Sequence, residues 1–173
     1  MNVHRRAPLP TGPAIGKLVV AENVLTPTRA ALQASSGDHR PHEGLVLWLG
    51  RTVGTVTLVL AVAAPPTLSG PGRVHVDERA VGAVARAARA HHLGVVAQVH
   101  SHPGADTRHS EGDDQLVLMP FEGMFSLVVA DYGRGWITGE NGPGLHQFQQ
   151  GQWVQLVQPD ALIVVPPLVS VAQ

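Results

Sequence analysis

No cysteine occurs among the 173 residues. That absence removes a disulfide framework, a thiolate metal site and a cysteine nucleophile together, so any metal must be held by His, Asp or Glu. Long basic runs are also missing. None exceeds Arg5-Arg6, and 12 Lys+Arg against 13 Asp+Glu leave a formal net charge of −1. Such a chain offers no stripe for phosphate backbones or anionic lipid, and neither nucleic acid nor a membrane is expected as a partner. The opening MNVHRRAPLPTGPAIG lacks the apolar stretch of a signal peptide, and no run approaches the roughly 20 apolar residues of a membrane span. A cytoplasmic location is expected. No internal repeat is apparent. What the chain does have is 44% hydrophobic residues, in a length that suits one domain with a real core.

The Pro-rich, basic start suggests a loose arm over residues 1–16, followed by a single domain over 17–173. KLVVAE (17–22) reads as a strand. Thr26-Pro27 pairs an N-cap residue with proline at the first helical position and predicts a short helix from about Pro27 to Ala34. LVLWLGR (45–51) and TVTLVLAVAA (55–64), separated by Gly54, read as a strand hairpin. PPTLSGPG (65–72) reads as a loop. Asp77 is placed to cap a helix over 78–92, with Gly94 past its end. VVAQV (95–99), FSLVVAD (125–131), GWITGE (135–140), HQFQQGQWVQLV (146–157) and ALIVV (161–165) are strand-like. The fold class that follows is α+β, a mixed central β-sheet flanked by helices.

The densest polar cluster, HSHPGADTRHSEGDD (100–114), follows directly on a buried strand. Residues two apart in a strand face the same way, so His100 and His102 present both imidazoles on one side where Pro103 ends the ladder. Two neutral imidazoles make half a metal site. Ser110 and Asp113 stand three apart, the spacing of a helix N-cap and its third residue, and a carboxylate there can turn back toward the strand end. Two His and one carboxylate leave a fourth position for water, the arrangement of catalytic rather than structural zinc.

The order His-x-His-Pro, six residues, Ser, two residues, Asp resembles the JAMM motif of the MPN/JAB metallopeptidases, which His100, His102, Pro103, Ser110 and Asp113 fit without a gap. HEGLVLWLG supplies Glu43 where that family has a glutamate just before an apolar strand. The resemblance spans roughly residues 20–157 and implies an MPN/JAB fold, an architecture distantly similar to cytidine deaminases. The Pro-Cys-x-x-Cys element of a zinc deaminase is excluded by the lack of cysteine. VAQVHSHPG and FSLVVADYGRG look like compact bacterial JAB proteins found beside E1-like and E2-like proteins, in systems that attach a ubiquitin-like protein to targets, several of them antiphage.

By carry-over, the resemblance implies that His100, His102 and Asp113 hold Zn2+. It makes Glu43 the general base and later acid, and Ser110 the donor to the developing oxyanion. The implied activity is a zinc isopeptidase acting on conjugates of a ubiquitin-like protein. The alternatives are a peptidase that matures a modifier or sulfur-carrier precursor, and a non-catalytic MPN scaffold, which the presence of all five residues disfavours. Asp114 ranks a distant second to Asp113 as ligand, because neighbouring helical side chains point about 100° apart. Asp106, His109 and Glu111 are expected as a solvated or substrate-facing rim. Ser101 should pack or cap on the opposite strand face. Asp38, His39, His42, His75, His91 and His92 read as loop or helix positions. Leu68, Met119, Phe121 and Met124, in short loops, could touch the modifier or simply cover the sheet.

Overall fold

The β-branched and leucine-rich runs form strands, and the alanine-rich amphipathic segment forms a helix, in an order that leaves one broad sheet between two helices. The structure is a computed structural model and describes residues 7–34, 41–116, 120–138, 142–157 and 159–167. Its strands are β1 (Thr11–Gly12), β2 (Lys17–Ala21), β3 (Leu45–Val53), β4 (Val56–Ala63), β5 (Leu68–Gly70), β6 (Arg73–His75), β7 (Gly94–Ser101), β8 (Phe125–Val129), β9 (Gly144–Gln149), β10 (Gln152–Leu156) and β11 (Leu162–Val165). The helices are α1 (Leu25–Ala34) and α2 (Glu78–Ala90). Among the described residues the strands form a nine-stranded mixed sheet, ordered β1-β10-β9-β8-β7-β3-β4-β2-β11, and a separate β5-β6 hairpin. This is the α+β class expected from the sequence. None of the described helices is long and apolar enough to cross a membrane.

β3 explains the layering. Leu45, Leu47 and Leu49 point into a cluster with Val84 and Ala88 of α2, while Val46 and Trp48 point into the opposite cluster with Leu32 of α1. Trp48 Nε1 donates to Thr28 Oγ1 at 2.8 Å, which satisfies the indole inside that core. β7 pairs antiparallel with β3, setting His100 against Leu45 and Gln98 against Leu47, so both lie on the α2 face. β7 and β8 run parallel, and their carboxyl ends open at the same edge of the sheet. Ligand sites gather at such ends.

Several boundaries differ from the sequence reading. α1 starts at Leu25, led in by a 3-10 turn at Glu22–Val24, so Thr26 is inside the helix rather than its cap. Pro27 still falls in the first turn, where a missing amide is tolerated. Asp77 caps α2 as expected, its carboxylate accepting from Ala80 N at 2.7 Å. The left-handed exit, however, is His92 (φ 58°), not Gly94, which already begins β7. The loop expected over 65–72 contains β5 and the turn to β6. GWITGE forms no strand over its described residues 135–138. Asp131, Tyr132 and Gly133 all have positive φ and turn the chain sharply after β8. Ile137 then anchors the segment in the core, and Trp136 is exposed.

The expected loose arm over 1–16 is docked from Pro10 onward. β1 pairs parallel with β10, Gln155 N donates to Pro10 O at 2.8 Å, and the Gln147 amide clasps Ile15, accepting from its N at 2.8 Å and donating to its O at 3.0 Å. Those backbone groups were open to pairing, and a distant strand edge takes them.

Candidate metal centre

β7 ends with its side chains in strict alternation, and the site is built on that. His100 and His102 face one side, while Ser101 faces the other and accepts from Gly44 N at 2.9 Å through Oγ. Ser101 thereby does what was expected of it, and it holds the segment before β3 level with the end of β7. Gly44 is required there, since a Cβ would meet the Leu32 backbone at 2.5 Å. This places Glu43 beside the imidazoles. The Glu43 amide donates to Gly70 O at 3.0 Å, tying the same point to β5.

The chain after His102 loops outward and returns through Ser110. Ser110 and Asp113 form the reciprocal pair their spacing suggested: Ser110 N donates to Asp113 Oδ2 at 2.5 Å and Asp113 N to Ser110 Oγ at 3.2 Å. They open a 3-10 turn over Asp113–Gln115 rather than an α-helix. The carboxylate turns back on the strand end, with Asp113 Oδ1 3.4 Å from His100 Nε2 and Asp113 Oδ2 3.1 Å from His102 Nε2. All three residues are buried, and their ligand atoms lie within 4.8 Å of one another.

These separations suit a shared cation. Ligands about 2.0–2.1 Å from zinc at tetrahedral angles stand about 3.3–3.4 Å from one another. The fully buried His100 ring finds no well-formed hydrogen-bond partner at either nitrogen among the described residues; its Nε2 reaches Asp113 Oδ1 only at 3.4 Å, a separation that two ligands of one ion would have. His102 Nδ1 lies 2.8 Å from Asp106 O. A carbonyl only accepts, so Nδ1 carries a proton and donates to it, the usual outer support of a ligating histidine, while Nε2 faces Asp113 Oδ2. The His100–His102–Asp113 group could therefore hold a metal ion, and its donor set of two imidazoles and one carboxylate fits zinc.

Electrostatics separate the two carboxyls. Burial alone would raise that of Asp113, but the charges and hydrogen bonds of His100 and His102 together outweigh it and hold it well below the usual range. Glu43 is pushed up to about 7, chiefly by burial, with His102 opposing and Asp113 adding to the shift. Burial lowers His102, but the hydrogen bond and charge of Asp113 with further help from Asp106 and Glu43 leave it raised. Glu43, Ser110 and the His102–Asp113 pair line one cavity of about 400 Å³, walled on another side by Arg73 and Val74 of β6.

The other candidates are dispersed. Asp114 does not join the ligands; its Oδ1 lies 3.3 Å from His109 Nδ1. The expectation of a rim position for His109 is overturned, because the ring is fully buried in the sheet's α2 face. Burial lowers its pKa despite Asp114. Asp106 does reach the surface, paired to Arg108 at 2.6 Å, and Glu111 lines the cavity. Met124 is buried in the core on the α2 face; Leu68 and Phe121 are exposed. Asp38, His39 and Met119 lie outside the described residues. Three features escaped the sequence reading: the β5-β6 wall, signalled only by Pro71-Gly72, the buried His146, and Ser126 beside it.

The chain matches the family described as prokaryotic homologs of the JAB domain over residues 25–150. No curated protein matches it. A protein from Desulfitobacterium hafniense, solved in solution, is 18% identical with a TM-score of 0.65, covering 87% of this chain and 94% of that one. A JAB1/MPN domain protein from Archaeoglobus fulgidus is 21% identical with a TM-score of 0.48, covering 86% of this chain and 98% of that one.

Proposed function

This chain belongs to the prokaryotic JAB domain family, and from that premise we propose that it is a zinc-dependent isopeptidase hydrolysing the bond between the C-terminus of a ubiquitin-like protein and its target. The observation that carries the reading is the position of Glu43: a buried carboxyl, pushed up to about 7, in the same cavity as His102 and Asp113 of the ligand group. Its resemblance to compact bacterial JAB proteins supports a substrate made by E1-like and E2-like proteins, in a conjugation system of the antiphage kind.

Bound zinc supplies a Lewis acid that makes water a nucleophile near neutral pH. Each remaining step belongs to the chain. Glu43 accepts the proton of the attacking water and returns it to the departing amine, from a place where burial favours its protonated form and a neighbouring cation its ionised form. The Ser110 hydroxyl, oriented by accepting from Asp113 N, donates to the oxyanion. Removing one such donor costs about a hundred- to a thousandfold in rate. The modifier's tail lies extended along the β5-β6 wall, gripped through its backbone.

The test uses purified protein with zinc and two substrates, a ubiquitin-like protein joined to a lysine side chain and the same protein in linear fusion. Cleavage of the first by wild type, lost in Glu43→Gln with zinc content unchanged, is the expected result. Cleavage of the linear fusion alone would instead make it a processing peptidase. No cleavage of either would overturn the reading.

A further inference from the structure

Behind the metal ligands lies a row of buried polar groups that hydrolysis does not use. Gln98 on β7, Ser126 on β8 and His146 on β9 are cross-strand neighbours on the face that carries His100, and all are fully buried. His109 lowers its ring onto this row. It stacks on His146 at 4.0 Å, meets Trp153 edge-on at 5.1 Å and lies 5.7 Å from His100. A phenylalanine would fill that space without needing hydrogen bonds, so the choice of imidazole calls for a reason.

The bonds around the ring have a definite sense. An aspartate carboxylate only accepts, so His109 Nδ1, 3.3 Å from Asp114 Oδ1, carries the proton. The neutral ring then offers a lone pair at Nε2, to which Ser126 Oγ donates across 2.8 Å. Ser126 Oγ in turn accepts from Gln98 Nε2 at 2.9 Å. Donation runs from Gln98 to Ser126 to His109 to Asp114. The connectivity is that of a Ser–His–Asp triad, but no substrate reaches a wholly buried Ser126. What matters is where the chain of bonds ends. His109 immediately precedes Ser110 and Asp114 immediately follows Asp113, so this bracket encloses both residues the loop contributes to the site.

We propose that His109, as its Nδ1–H tautomer, is the positioning residue of the metal centre, fixing the loop that bears Ser110 and Asp113 through bonds to Ser126 on β8 and to Asp114. Its effect on turnover rests on the isopeptidase reading; its effect on metal affinity does not. Outer-shell partners of this kind are worth ten- to a hundredfold in metal affinity or activity.

Two variants test it. His109→Phe keeps the ring's volume and stacking but loses both bonds, and Ser126→Ala removes one donor. In both, zinc affinity measured by chelator competition should fall ten- to a hundredfold, and kcat by a similar factor with KM unchanged. Nitrogen NMR of the wild-type rings should show His109 protonated at Nδ1. Wild-type zinc affinity in both variants, or an Nε2–H tautomer, would overturn the proposal. If His109→Phe does not fold, Ser126→Ala and the ring spectrum decide alone. If wild type binds zinc but cleaves neither substrate, the isopeptidase reading falls while the affinity comparison still decides the role of His109.

Discussion

A carboxyl that is 5% exposed and pushed up to about 7 holds its proton more tightly folded than unfolded. Its stabilising contribution is therefore complete below the unfolded value of 4.5 and is lost as pH rises through about 7. In chelator-treated protein, Glu43→Gln removes that loss. The variant should gain on wild type by about 2 kcal/mol between pH 5.5 and pH 8, read from denaturant unfolding at the two values. An equal difference at both would show that Glu43 is not proton-coupled. Asp113 behaves oppositely: its lowered carboxyl stabilises above its ordinary range and the contribution is lost as pH falls. The two carboxyls that share the cavity thus disagree about pH, and a cation beside them favours the ionised form of both. Metal affinity should accordingly weaken below neutrality. His102→Ala, which deletes a ligand and leaves Asp113 less compensated, should abolish stoichiometric zinc by elemental analysis.

At the scale of elements, the site depends on two close approaches. β9 begins at Gly144, where a Cβ would collide with the Thr107 carbonyl, so Gly144→Ala must displace the loop that ends in Ser110 and Asp113. Overpacking of this kind costs about 1–3 kcal/mol; a thermal melt should show it, with zinc affinity reduced alongside. The second approach is the left-handed turn after β8. Tyr132 N donates to His102 O at 2.7 Å and Asp131 N to Gly104 O at 3.0 Å, while Tyr132 Oη donates to Pro71 O at 3.0 Å. One turn thus joins the ligand strand to the β5-β6 wall. Tyr132→Phe removes an exposed bond worth about 1 kcal/mol, and is expected to raise KM severalfold with kcat nearly unchanged. These couplings mark the limit of what sequence shows. His100 and His102 were legible because strand alternation is local, and Asp113 because a capping pair spans three residues. His109 was misplaced because its partners, Ser126 and His146, sit on later strands, and β5 and β6 are too short to give a period.

At the scale of the whole molecule, a cation held by His100, His102 and Asp113 would be linked to stability. Zinc that binds the folded chain alone adds about 2.7 kcal/mol at a hundred times its dissociation constant, which for this size is about 5–10 °C in melting temperature. Chelator should take that increment away from wild type, and His102→Ala should melt at the same temperature with or without it. Architecture was readable at this scale, since the strand-rich pattern with two helices implied a mixed sheet. The order of strands was not, because it is written in bonds such as Gln147 to Ile15, 132 positions apart. That order has a consequence during synthesis. β1 waits for β10, and β2, which pairs with β4 on one side, waits for β11 on the other, so neither border of the sheet is finished while the segment after residue 150 is still inside the ribosome. A nascent chain halted there would show unpaired strand borders to its neighbours, and the sheet can close only after its last strand has emerged.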